Sequence, residues 1–302
     1  MFKNAITFAF TKAFNLTAQE LQDKLAQHVF TPLGSLEQTR TGFIGVMADN
    51  GALAIDVGGN ILVNVRKQDK ILPAPYVKEL LDERVEELEI TQPFSATKKQ
   101  RDELKEDVID SLLPVAFKRT INTKAYINAV DNFIVIDASS RGKAEEVLAV
   151  LRKALDSLPV TSVVPNIDVN DTMTDWLKFD SEEGEHLSEL FAFGTEAHFS
   201  TLNEDAATAV VKNQGLHDSD VSSHIASGKY VTKIELTSGN DSFLLKDDLS
   251  ISRLKFTYAE SESGNEEEDL LCDLTVMTSE LNFIIKNIHS EFNIKATDSL
   301  EG

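Results

Sequence analysis

Three prolines constrain how this chain can be organised. Pro73 and Pro75 open, and Pro114 closes, the stretch KILPAPYVKELLDERVEELEITQPFSATKKQRDELKEDVIDSLLPVAFKRTINTK, residues 70–124. Pro75 can begin a helix, because a proline in the first turn gives up only an N–H that has no intrahelical partner. Val77, Leu81, Val85 and Leu88, with Leu80 beside them, then recur at helical spacing. Thr91, Gln92, Pro93 and Ser95 interrupt that stripe, and Leu104, Val108, Ile109, Leu112 and Leu113 carry a second one. Pro114 ends it, since the residue before a proline is pushed out of the α region. The spacing predicts a helical hairpin with Lys98, Lys99 and Arg101 near its tip and Phe117, Lys118 and Arg119 at its base.

The flanking segments read mainly as strands. Ala5–Phe14 alternates, Thr17-x-x-Glu20 is a capping box, and Leu21, Leu25 and Val29 continue a helix that Pro32 stops. Strands are expected at Thr41–Ala48, Ala52–Val57, Ile61–Arg66, Ala125–Val130 and Phe133–Asp137. An amphipathic helix is expected over Arg141–Leu158, with Val147, Leu148, Leu151 and Leu155 inward, before a strand at Val160–Val164. Trp176 reads as a buried residue at a domain junction. Beyond an Asp-, Ser-, Glu- and Gly-rich linker (Asp180–Glu185), strands at Leu187–Phe199 and Ala206–Val211 precede a short helix at Asp218–Ile225. A meander follows over Tyr230–Leu236, Ser242–Lys246 and Ile251–Tyr258, then an acidic loop at Glu260–Asp269 and a closing helix at Leu281–Phe292; Ala296–Gly302 is expected to fray. The reading is α+β in three parts: a central sheet-and-helix domain from residues 1–72 and 118–177, an inserted helical hairpin tip at 73–117, and an acidic α+β base domain at 178–302.

Charge bears on function. The formal net charge is −21, and residues 161–302 alone hold 9 Lys/Arg against 28 Asp/Glu. Residues 60–160 are nearly balanced at 16 against 17, and Lys98–Lys124 carries 7 cations to 5 anions. Phosphate binding needs cations, so any nucleic-acid contact has to draw on locally gathered ones. No apolar run approaches the ~20 residues that span a bilayer. The N-terminus lacks a signal-peptide cleavage pattern, and the lone Cys272 allows no intrachain disulfide, so a cytoplasmic protein with no membrane partner is expected. The six histidines have no zinc-ligand spacing, and no phosphate-binding loop or nucleophile elbow is present. Glu103-Leu104-Lys105 fits the E-x-K of metal nucleases only without its usual upstream partner, and pairs such as Lys98–Asp102 and Lys99–Glu103 account for those residues as a solvated face. The expectation is a non-enzyme without a cofactor or metal.

Three ordered motifs add a resemblance. KILP-x-P-x-V at Lys70, L-K-x-(D/E)-V-x-x-SLLP-x-AF-x-R at Leu104, and K-A-E-(D/E)-x-L-A-x-LRK-x-L-x-SLPV at Lys143 resemble the RdgC family of bacterial recombination-associated DNA-binding proteins. Likeness runs from Phe2-Lys3-Asn4 to RLKF at Arg253–Phe256 and MT-x-EL at Met277–Leu281, and is loosest over residues 180–210. The resemblance implies a ring-shaped homodimer, joined tip to tip and base to base. Such a ring would encircle double-stranded DNA without sequence preference, act at the nucleoid and restrain RecA-driven recombination, with single-stranded DNA as a further candidate ligand.

On that reading the phosphate contacts would be Lys98, Lys99, Arg101, Lys118 and Arg119, with Arg66, Lys67, Arg141 and Lys143 as further bore residues. Lys212 and Gln214 align with a K-K-Q-D segment of the family, in which Asn213 replaces the second lysine. Phe117 matches a family phenylalanine and would pack across the subunit interface; read alone, it serves equally well as a core anchor. The expectation is that these cations share one inner wall. A ring can keep a basic bore inside an acidic exterior, because charges farther apart than about 8 Å are largely screened at physiological salt. The rival reading is an acidic interaction protein that binds a recombination enzyme directly, without touching DNA.

Overall fold

The computed structural model describes residues 1–48, 51–178, 187–201, 207–257 and 265–294. The chain is α+β, with one sheet of twelve strands; ten follow one hydrogen-bonded path in the order β2-β4-β5-β6-β1-β12-β11-β10-β8-β9, while β3 pairs with β4 and β7 with β1 off that path. In chain order the first part holds β1 (Asn4–Phe10), α1 (Ala18–Leu25), β2 (Thr39–Ile44), β3 (Ala54–Val57) and β4 (Asn60–Lys70). Then come α2 (Ala74–Thr91), α3 (Lys98–Leu112), β5 (Lys118–Asn128), β6 (Phe133–Ile136), α4 (Arg141–Leu155), β7 (Val160–Ser162) and α5 (Val169–Asp175). The remainder comprises β8 (Ala192–Ser200), β9 (Ala209–Lys212), α6 (Ser219–Ala226), β10 (Tyr230–Ser238), β11 (Asp241–Lys246), β12 (Ile251–Lys255) and α7 (Glu266–Glu291). The strand pairings are antiparallel, and the two halves of the path meet where Asn4 and Ala5 pair with Ser252 and Ile251.

The hairpin stands where a β-turn would otherwise be. β4 and β5 pair without a break from Asn60↔Asn128 to Lys70↔Lys118, and Ile71 N then donates to Phe117 O at 2.8 Å. From that open end α2 and α3 project. Thr97 and Gln100 form a reciprocal capping box at the start of α3, with Gln100 N donating to Thr97 Oγ1 at 3.3 Å and Thr97 N to Gln100 Oε1 at 2.9 Å. Val77, Val85 and Val108 are buried in the hairpin but belong to neither main core.

Strand alternation feeds two cores. Val63, Val65, Ala125 and Ile127 turn to the side covered by α1 and α4, where Leu21, Leu25, Val147, Leu148 and Leu151 meet them. Leu62 and Tyr126 turn to the opposite side and join a larger core with the second half of the sheet and α7. Leu274, Met277, Leu281, Ile284, Ile285 and Ile288 recur at helical spacing along α7 and are all buried. Each such side chain is worth about 1.5–3 kcal/mol of burial, and α7 therefore ties both halves of the sheet together. Tyr126 Oη donates to Asn282 Oδ1 at 2.9 Å, Asn282 Nδ2 donates to Asn60 Oδ1 at 3.0 Å, and the Trp176 and Phe292 rings pack tilted at 47° with centroids 5.5 Å apart. Trp176 is buried, as its sequence context suggests.

Several elements differ from the expected ones. β4 continues to Lys70 and β5 begins at Lys118, because each extension is paired with the other through an unbroken ladder; the mostly polar strand ends carry little apolar alternation to signal it. Helix α5 had no periodic signal. Glu266–Asp269, expected as a loop, is the first turn of α7, where carboxylates complement the positive end of the helix dipole and Asn265 Oδ1 accepts from Glu267 N. The linker Asp180–Glu185, residues 260–264 of the expected acidic loop, and the segment Ala296–Gly302 lie outside the described residues. No helix among the described residues is long and apolar enough to cross a membrane.

Candidate nucleic-acid interface

Neighbouring cations on one strand point to opposite faces, and this sorts the candidate residues. In β4 and β5 the register places Lys67, Asp69, Ile121 and Arg119 on the α4 side, and Arg66, Gln68, Lys70, Asn122, Thr120 and Lys118 on the other. On the α4 side, a cleft is lined by Lys67, Asp69, Arg119, Lys143 and Glu146. Lys67 Nζ sits 2.8 Å from Glu146 Oε1, and Arg119 Nη2 is 3.3 Å from Asp69 Oδ2. Lys143 Nζ donates to Ser139 Oγ at 2.9 Å. Arg141, at the start of α4, donates to Ser162 Oγ at 2.7 Å and to Asp248 O at 3.3 Å, which links this flank to the β11–β12 turn.

The opposite side carries a second polar strip, beyond the residues that α7 covers. Arg66 Nε donates to Asn122 Oδ1 at 2.9 Å, and its guanidinium lies 5.7 Å from the centre of the Phe30 ring. Lys118 Nζ donates to Leu33 O at 3.3 Å, while the buried Lys70 ammonium holds Ser35 O and Leu113 O. Lys124 lies across from Asn64 on this strip; burial lowers its pKa and nearby Asp137 opposes that.

The hairpin tip forms a third group. Lys98 is exposed in the first turn of α3, and Lys99 is 86% exposed and 3.7 Å from Glu103, the anticipated i,i+4 pair. Arg101 reaches back 3.7 Å to Glu89 of α2. At the hairpin base Phe117 is 83% exposed, and Ile71, which is hydrogen-bonded to its backbone, and Val115, two residues before it, are exposed as well, so Phe117 does not serve as a core anchor.

A fourth group lies in the second half of the sheet. Lys212 and Gln214 border a groove with Asp220, Ser223 and His224 of α6. Pairing registers put Lys212, Glu196, His198, Lys233, Glu235 and Lys246 on the sheet face away from α7. Arg253 and Lys255 border a polar pocket on this face with Glu196 and Glu235. Glu196, only 8% exposed, is the hub. His198 Nε2 lies 2.6 Å and Lys212 Nζ 3.4 Å from its Oε1, and Arg253 Nη1 lies 2.7 Å from its Oε2. Burial alone would raise the Glu196 pKa, but hydrogen bonds from His198 and Arg253, the Arg253 charge and Lys212 outweigh it and bring it down to about 2. Among the described residues no group of three or more His, Cys, Asp or Glu side chains is placed to hold a metal ion.

A family model described as "Putative exonuclease, RdgC" matches residues 1–295. The chain belongs to the RdgC family. The recombination-associated protein RdgC of Colwellia psychrerythraea strain 34H is 42% identical, with 99% of each chain covered. The RdgC of Aeromonas hydrophila is 39% identical over 93% of each chain, and that of Yersinia enterocolitica is 36% identical over 95% of this chain and 96% of its own.

Within this RdgC-family fold the chain does not gather the eleven candidate residues on a single wall; it distributes them over four places. Lys67, Arg119, Arg141 and Lys143 share the α4 flank, Arg66 and Lys118 the opposite strip, Lys98, Lys99 and Arg101 the tip, and Lys212 and Gln214 the second half of the sheet. Sequence reasoning missed Lys70 and Lys124 on the strip, and Glu196, Lys233, Lys246, Arg253 and Lys255 on the second half of the sheet. A signal existed for some of them: Lys233-x-Glu235 and Arg253-x-Lys255 are charges at strand period within segments already expected to be strands.

Proposed function

We propose that this RdgC-family protein binds double-stranded DNA without sequence preference, closes around it as a ring-shaped homodimer at the nucleoid, and restrains RecA-dependent recombination. The observation that carries the reading is local clustering of cations in an otherwise acidic chain. Of the nine Lys/Arg in residues 161–302, five (Lys212, Lys233, Lys246, Arg253 and Lys255) lie on one sheet face or the pocket that borders it. Ladders of Lys and Arg on a sheet suit phosphate contacts, which position a protein on the duplex and carry no base information. The exposed apolar residues around Phe117 supply a surface for a second copy.

The test is binding to random-sequence duplex across a salt series. Log K is expected to fall by about 0.9 per phosphate neutralised for each tenfold rise in salt, and reversing Lys98, Lys99 and Arg101 together to Glu should weaken binding without moving the melting temperature. A flat salt response would instead favour direct binding to a recombination enzyme. The word exonuclease in the family description favours a second reading, strand cleavage. Nucleotide release from end-labelled duplex with Mg²⁺ or Mn²⁺ would establish it, and intact duplex would remove it.

A further inference from the structure

The face that holds Lys212 has a carboxylate built into its centre. Both Glu196 oxygens are occupied, one by His198 and Lys212 and the other by Arg253. The exposures are unequal: the Glu196 side chain is 11% exposed, whereas Lys212 and Arg253 are 48% and 54% exposed. The cations can therefore be reached from solvent while the carboxylate lies behind them. Arg253 gets there by an irregular backbone. Its φ is +54°, rare for a residue with a side chain, and the β11–β12 register shifts between Ser242 and Leu244. Bulges of this kind re-aim side chains at functional places. Here the re-aimed guanidinium lies across β11 and β10 from its own strand, on a carboxylate of β8.

We propose that Glu196 limits affinity at the DNA interface: it holds Lys212 and Arg253 in the free protein, and a backbone phosphate competes with it for both when duplex meets this face. The inference rests on reading the protein as a duplex binder. A phosphate approaching Lys212 or Arg253 meets cations whose field Glu196 has partly cancelled, and the carboxylate itself repels it. Removing that charge while keeping the side chain's shape and one acceptor oxygen should release the cations.

The experiment measures binding to a random-sequence duplex of about one to two helical turns, from 50 to 200 mM salt, with circular dichroism and Trp176 fluorescence to verify the fold. Glu196→Gln should bind roughly three- to tenfold tighter than the parent at low salt. Its log K against log salt slope should be steeper by about one, as one more phosphate contact requires. Adding Arg253→Gln to Glu196→Gln should return the slope to that of the parent. If the parent binds duplex and Glu196→Gln binds equally or more weakly with an unchanged slope, the inference falls and the duplex reading stands. A parent that binds no duplex overturns both. Should Glu196→Gln fail to fold, Glu196→Ala decides by the same readout: a slope steeper by about one supports the inference, and an unchanged slope overturns it.

Discussion

Glu196 also makes a quantitative prediction about acid stability. Its pKa falls from 4.5 to about 2 on folding, and at about 1.4 kcal/mol per pH unit the upper bound of the stabilisation is roughly 3.5 kcal/mol. Two of its partners, Lys212 and Arg253, are about half exposed, so solvent screens part of the Coulomb contribution and about 2 kcal/mol is expected. The folded pKa is the lower one, so the contribution is complete above pH 4.5 and is lost as pH falls towards 2. Glutamine resembles the protonated acid. The gap between parent and Glu196→Gln should therefore be about 2 kcal/mol at pH 7 and close to zero near pH 2.

The assay is urea unfolding followed by fluorescence of Trp176, the single tryptophan, which packs on Phe292 in the core shared with α7. With a urea dependence of about 2 kcal/mol per molar, the midpoint of Glu196→Gln should lie about 1 M below the parent at pH 7. The two midpoints should converge on acidification. A gap that stays constant from pH 7 to pH 2 would show that the variant loses packing rather than a charge network, and would refute the argument. Lower stability together with tighter DNA binding is the trade that the proposed role of Glu196 predicts.

Three further outcomes test other levels of the structure. Leu281→Ala removes a fully buried side chain from α7 and should cost about 3 kcal/mol, read as a lower urea midpoint of the Trp176 signal. Thr97→Ala breaks the capping box of α3 and should cost about 1 kcal/mol, seen as faster amide hydrogen exchange in the first turn of α3 with the sheet amides unchanged. Phe117→Asp places a charge in the exposed apolar patch at the hairpin base; it should lower the sedimentation-derived mass towards that of a single chain while leaving circular dichroism unaltered.

Local chemistry made much of the architecture legible. The hairpin could be placed because its determinants lie within a few residues of one another: prolines at its ends, stripes at helical spacing, and a break between them. The same holds for the capping box at Thr17, where Glu20 N donates to Thr17 Oγ1 at 3.2 Å and Thr17 N to Glu20 Oε2 at 2.8 Å, and for the buried face of α4. Helix α7 begins at Glu266 rather than at the expected Leu281: its first turn is wholly acidic, a pattern that suits both a solvated loop and a dipole-stabilised helix start, and no element is expected between that turn and Leu281.

Tertiary structure alone decided which cations act together. Lys118 and Arg119 are adjacent in sequence, yet the pleat sends one towards the Leu33 loop and the other to Asp69 on the opposite face. Arg253 and Glu196 lie 57 positions apart and meet only because four strands align and one bulges. A strand's period of two fixes that neighbours diverge, but which face is buried, and which distant carboxylate waits there, follows from register and from how the sheet packs on its helices.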